Sequence, residues 1–100
     1  MIRGTTPTHR FYLPFGRDEI RALRVTYAQH GEVVLVCEGD DCRIEDGMVE
    51  LLLTQEQTLR FGADAPVQIQ LRVLTDKGEA YASRILIAQV GECLDGEVLA

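Results

Sequence analysis

The fold is decided by residues 66–90, whose sequence is PVQIQLRVLTDKGEAYASRILIAQV. In the first half, apolar and polar side chains alternate strictly, and a period of two is typical of a β-strand with one buried face. The apolar positions are Val67, Ile69, Leu71 and Val73. The following Thr75–Gly78 predicts a type I turn closed by a left-handed glycine, so residues 66–90 form one long hairpin.

The returning strand of this hairpin runs from Glu79 to about Val90. Strict alternation puts one set of side chains on a common face, namely Tyr81, Ser83, Ile85 and Ile87. The other face then carries Ala82, Arg84, Leu86 and Ala88. Because its second half is apolar on both faces, we expect this strand to lie inside a sheet rather than at its edge.

Five shorter strands are indicated by the same alternation and by turn signals between them. They are Thr8–Leu13, Ala22–Gln29, Glu32–Glu38, Cys42–Glu45 and Met48–Leu53. A helix through Ile20, Leu23 and Tyr27 competes with the second of these, but its Val-Thr-Tyr run disfavours helix and suits a strand.

One short helix is predicted between Thr54 and Phe61, where Thr54 and Gln57 have the spacing of a capping box. About seven strands with this helical crossover predict an all-β fold, an immunoglobulin-like antiparallel β-sandwich.

The domain organisation follows from these elements. We expect an extended, loosely held N-terminal arm at residues 1–7, the β-sandwich at residues 8–90 and a C-terminal tail at residues 91–100. Charge is uneven, since residues 1–36 carry five arginines and three acids, whereas residues 37–100 carry five basic and thirteen acidic residues. This asymmetry favours head-to-tail contact between copies, so a homo-oligomer is one option.

Composition narrows the class of protein. The chain has 100 residues, 46% of them hydrophobic, as expected for one globular domain. The net charge of −6 argues against a nucleic-acid partner, because phosphates require a basic surface. No stretch reaches the ~18 apolar residues of a membrane span. The three cysteines and the absence of a secretion signal predict free thiols in a reducing compartment.

Two groups of side chains have the chemistry of a metal site without its spacing. Zinc could be held by Cys37, Cys42 and Cys93 with His9 or His30, but the second close pair of a structural site is missing. Calcium could be held by the acidic turn, which lacks the spacing of a calcium-binding loop. That turn comprises Glu38, Asp40, Asp41, Glu45 and Asp46, of which Asp40, Asp41 and Asp46 are the weak calcium candidates.

No catalytic arrangement is indicated. The only serine, Ser83, is not part of a nucleophile elbow, and a dyad of Cys37 with His30 has no accompanying cleft signal. We therefore predict a protein that is not an enzyme and has no cofactor.

Interface candidates come from two surfaces. The outer face of the long hairpin carries Gln68, Gln70, Arg72 and Arg84, which form either a solvated sheet face or a subunit contact. In the arm, the candidates are Arg3, Thr5 and Thr6.

Six segments spread along the chain carry a family resemblance. They are Met1–His9, Phe11 with Leu13–Phe15, Val25–Gln29, Leu53–Glu56, Val67–Arg72, and Cys93–Leu94 with Glu97–Leu99. In these segments the sequence resembles a family of small prophage proteins encoded among phage structural genes. The resemblance implies a tail- or baseplate-associated role, without catalytic residues to carry over.

Together these observations predict a non-enzymatic phage structural or assembly protein that docks onto other phage structural proteins. Docking would use the N-terminal arm or an exposed sheet edge, each adding to a neighbour's strand. Its location would be the bacterial cytoplasm during assembly, and the virion if it is retained there. The alternative is a small calcium- or glycan-binding β-sandwich module.

Overall fold

The computed structural model describes residues 1–100 and is an all-β fold of eight strands in two antiparallel sheets. The strands are β1 Thr8–Tyr12, β2 Ile20–Gln29, β3 Glu32–Glu38, β4 Cys42–Glu45, β5 Met48–Leu52, β6 Val67–Thr75, β7 Ala80–Ala82 and β8 Leu86–Ala88. Single 3₁₀ turns at Arg17–Glu19 and Gly39–Asp41 precede β2 and β4, and one α-helix, α1, spans Gln55–Leu59. None of the helices has the length and apolar character needed to cross a membrane.

The larger sheet has the order β3-β2-β6, with β7 and β8 both pairing along the far side of β6. Its two central strands follow the predicted alternation, which is therefore confirmed. On β6, the four inward side chains Val67, Ile69, Leu71 and Val73 are each at most 6% exposed. The β2–β3 hairpin turns at His30 and Gly31, both with positive φ, as the twist of a two-residue hairpin requires.

The smaller sheet has the order β1-β5-β4 and supplies the other side of the core. Phe11, Val49 and Leu51 from this sheet join the buried residues of the larger sheet in a single cluster of 15 side chains. Leu53 and Phe61, at either end of the crossover through α1, are also in this cluster. One apolar core therefore lies between the two sheets, which is why both sheets alternate in burial.

Helix α1 begins as the sequence predicts. The Thr54 hydroxyl accepts from the Gln57 amide at 3.1 Å, and the Gln57 side chain accepts from the Thr54 amide at 2.9 Å. These two bonds satisfy amide groups that a helix start otherwise leaves without partners, so the capping box is confirmed.

The returning strand of the long hairpin differs from the prediction in two ways. It lies at the edge of the sheet rather than inside it, and Ile85 and Ile87 are 54% and 66% exposed. It is also interrupted, since Tyr81 pairs with Val73 whereas Leu86 pairs with Ile69, a shift of one residue. Tyr81 and Leu86 therefore lie on the same face of the sheet, whereas strict alternation places them on opposite faces.

The cause of this interruption is the hydroxyl of Ser83. The Leu71 amide donates to Ser83 Oγ at 3.0 Å, where a regular ladder would use a backbone carbonyl, and the Gln70 side chain donates to the displaced Ser83 carbonyl at 2.9 Å. Residues 83–85 thus form a β-bulge, which divides the expected strand into β7 and β8.

The N-terminal arm is tied to the domain rather than loosely held. The Met1 ammonium donates to the Gln89 carbonyl at 2.9 Å, and the Ile2 backbone pairs with Gly91. The Arg3 side chain donates to the carbonyls of Phe61 and Leu59 at 2.6 and 3.1 Å and pairs with Glu92. The tail returns to the same region, where the Leu99 amide donates to the Gln55 side chain at 2.8 Å.

Candidate functional site

The outer edge of β3 is the first feature that offers a binding surface. This strand pairs only with β2, and the backbone from Glu32 to Cys37 makes no hydrogen bond on its free side. Val33 and Val36 add exposed apolar side chains along that edge, 62% and 42% exposed. An unpaired strand edge with apolar side chains is a template for an added strand.

Each of the other sheet edges is blunted by a break, by short length, or by prolines and a charge. The edge formed by β7 and β8 is broken by the bulge at residues 83–85, and β4 has only four residues. The strand β1 lies between Pro7 and Pro14 and carries Arg10 outward, in an ion pair with Glu50. Bulges, short strands, prolines and charges all discourage strand addition. Residues 33–37 of β3 contain no proline and no charge, although a β-bulge at Val34 shifts the pairing with β2 by one residue.

The outer face of the larger sheet holds most of the interface candidates from the hairpin. Gln68 and Arg72 are exposed on β6, while Gln70 is half-buried because its side chain donates to Ser83. Arg84 is exposed but lies in the bulge, so it does not share the regular face of the other three.

The predicted interface residues of the N-terminal arm differ in whether their side chains are already bonded within the protein. Arg3 is taken up by the contacts with Leu59, Phe61 and Glu92. The Thr5 hydroxyl donates to the Ile2 carbonyl at 2.6 Å, and Thr6 is exposed. The arm therefore presents little free backbone to a partner.

The acidic candidates serve as caps for turns. Asp41 accepts from the Glu38 amide at 2.9 Å, and Asp46 accepts from the Arg17 amide at 2.8 Å. The structure contains no group of three or more His, Cys, Asp or Glu side chains placed to hold a metal ion, so Asp40 is not joined with these two in a site. The same holds for the candidate zinc ligands, among which Cys37 and His30 lie towards opposite ends of β3.

Two cysteines pack against the core. Burial, reinforced by the nearby Asp41 carboxylate, raises the pKa of the Cys37 thiol, and burial raises that of Cys42 to about 11. Since the thiolate is the reactive form, both thiols are poor nucleophiles at neutral pH.

A partly buried pair of polar side chains links the sheets at another point. His9 Nδ1 and the Tyr27 hydroxyl are 2.7 Å apart, with Tyr27 fully buried. Burial lowers the pKa of His9 and raises that of Tyr27, so both groups are held neutral. The contact gives the buried Tyr27 hydroxyl a hydrogen-bond partner between the sheets, so its role is structural.

Sequence reasoning missed the edge of β3 and the arginine beside it on β2, Arg24. The available signal was the run Val33–Cys37, which is apolar at every position. Such a run is typical of an interior strand, so it gave no warning that one side of β3 would be left without a partner. No family profile, curated protein or solved structure matches the chain.

Proposed function

We propose that the protein is a non-enzymatic structural or assembly protein of a phage or prophage, associated with the tail or baseplate, and that it docks by adding a neighbour's strand to β3. The observation that carries the docking step is the free edge of β3, with Val33 and Val36 exposed along it. The phage context rests on the sequence resemblance described above. Docking partners are other phage structural proteins.

The edge is a better docking element than the arm because the two differ in free hydrogen-bonding groups. The arm already donates and accepts bonds with Gln89, Gly91 and the end of α1. A partner strand would have to displace those bonds before forming its own. At β3, by contrast, the amides and carbonyls on the free side face solvent, so strand addition gains main-chain bonds without breaking any.

The proposed architecture is an immunoglobulin-like sandwich. Two antiparallel sheets with their core between them support this topology, and such a sandwich keeps the edge strand rigid before docking. Fewer residues have to become ordered when a partner binds a preformed edge than when it binds a disordered segment.

The test is to place a lysine on the edge and measure binding to the products of neighbouring phage genes. Val36→Lys adds charge beside the free edge, so we expect binding to weaken while the fold is kept. Leu52→Lys is the matched control, because Leu52 is 60% exposed on β5, a strand paired on both sides. Equal binding by both variants would refute docking at β3.

A further inference from the structure

Two arginines lie directly opposite each other on the outer face of the larger sheet. Arg24 on β2 pairs in register with Arg72 on β6, and their neighbours Leu23, Leu71 and Val73 point into the core. Directly opposed side chains of an antiparallel pair have Cβ atoms about 5 Å apart, and like charges in that position are unfavourable. The sheet therefore holds two positive charges together in a protein of net charge −6.

Only one of these charges is balanced within the chain. Arg24 Nε donates to Glu38 Oε1 on β3 at 3.0 Å, which fixes that guanidinium and leaves its two terminal nitrogens without a hydrogen bond. The Arg72 guanidinium makes neither a hydrogen bond nor an ion pair. Six ion pairs form elsewhere in the protein, and none of them includes Arg72. Across the sheet the charges run Glu38, Arg24, Arg72, so the second positive charge has no acid beside it.

A shallow recess on this face is lined by both arginines. It has a volume of about 210 Å³, and its walls include Ala22, Leu74 and Ala80, both arginines, and Glu38, whose carboxylate is paired with Arg24. That volume is below the ~300–1,000 Å³ of pockets for drug-sized ligands, so the recess suits a single side chain. The small apolar walls can contact methylene groups while the guanidinium groups receive an anion.

We propose that this recess binds the carboxylate of an aspartate or glutamate side chain from a partner protein. One carboxylate oxygen would accept from Arg24 and the other from Arg72, since guanidinium groups match the geometry of a carboxylate and form strong charge-assisted bonds with it. The added negative charge completes the alternation across the sheet. The inference rests on the proposed docking function only in assigning the carboxylate to a partner protein.

The experiment is an NMR titration of the ¹⁵N-labelled chain with N-acetyl-glutamate N-methylamide, whose only charge is the side-chain carboxylate. We expect saturable shifts of the Arg24 and Arg72 Nε–H signals and of the Leu74 and Ala80 amides. The glutamine analogue should cause none. Arg72→Gln should weaken binding about tenfold, the loss expected for one charge-assisted contact. Arg84→Gln is the matched control, an exposed arginine outside the recess, and should leave binding unchanged.

Other outcomes would overturn the proposal. Shifts spread over all arginines, or binding unaffected by Arg72→Gln, would mean that the recess is not a site. Inorganic phosphate as a third probe separates the two sources of anion, and tighter binding of phosphate than of the capped glutamate would contradict a protein carboxylate as the occupant. Failure here is distinct from failure of docking, because the Val36→Lys test does not involve the recess.

Discussion

Replacing Arg3 with alanine would test whether the N-terminal arm is part of the fold. Arg3 is only 23% exposed and donates to the carbonyls of Leu59 and Phe61 at the end of α1. Each hydrogen bond from a charged donor contributes about 1.5–3 kcal/mol, but water can reach both carbonyls in the variant, so we expect a total loss of about 2 kcal/mol. The exposed pairing with Glu92 adds little, because solvent screens it.

The assay is urea unfolding of the intact chain. With a slope of about 1 kcal/mol per molar urea for a domain of this size, the midpoint should fall by about 2 M, with the slope unchanged. Arg60→Ala is the control, since Arg60 only forms an exposed ion pair with Glu56 at 3.5 Å, and its midpoint should stay close to that of the wild type. An Arg3→Ala midpoint equal to that of Arg60→Ala would refute the account of the arm.

Three further outcomes follow from buried polar groups. Burial and the nearby N-terminal ammonium lower the pKa of His9, so the His9 imidazole is protonated at a higher pH in the unfolded chain than in the folded one. The free energy of unfolding should therefore be highest above pH ~6.5, the ordinary pKa of histidine, and should decline as the pH falls below it. Urea midpoints from pH 8 to pH 5 measure this, and an unchanged decline in His9→Asn would contradict it. Cys37 and Cys42 should react with iodoacetamide at pH 7 more slowly than a free thiol peptide, and faster labelling of either would contradict their raised pKa values. Ser83→Ala should lower the free energy of unfolding by about 1–2 kcal/mol, because the Leu71 amide loses its acceptor. Calorimetry with Ser83→Thr as the control measures this, and equal stability of the two variants would contradict the origin of the bulge.

The parts of the fold that sequence could predict are those set by local chemistry. Alternation places Val67 and Leu71 inward because a strand repeats every two residues, and the capping box of Thr54 needs only the next three residues. For the same reason, the sequence predicts the turn at Thr75–Gly78 with its left-handed glycine, and Gly78 has a positive φ.

What could not be predicted depends on partners far away in the chain. The Arg3 guanidinium is held by carbonyls 56 and 58 residues later, which no local pattern reveals. The bulge arises from a single hydroxyl that replaces a ladder carbonyl, so alternation after Ser83 gave the wrong face for Ile87. The prediction that this strand lies inside the sheet was also wrong, because apolar side chains on both faces do not specify which strands pair with it.

In the candidate site, too, features set by local sequence could be predicted and features set by long-range pairing could not. Gln68 and Arg72 were predicted on the outer face from alternation, and the structure places them there. The pairing of Arg72 with Arg24, and the free side of β3, are properties of strand order. Since strand order is set by long-range pairing, the sequence alone could not give them.

The most direct test of docking at β3 is amide hydrogen exchange of the chain alone and in complex with the phage structural proteins proposed as its partners. Without a partner, amides of residues 32–37 that face away from β2 have no acceptor and should exchange rapidly. In the complex, we expect these amides to become protected while those of the arm and of β7 and β8 stay unchanged. A complex that protects residues 1–7 or the β7–β8 edge and leaves β3 unprotected would contradict the account.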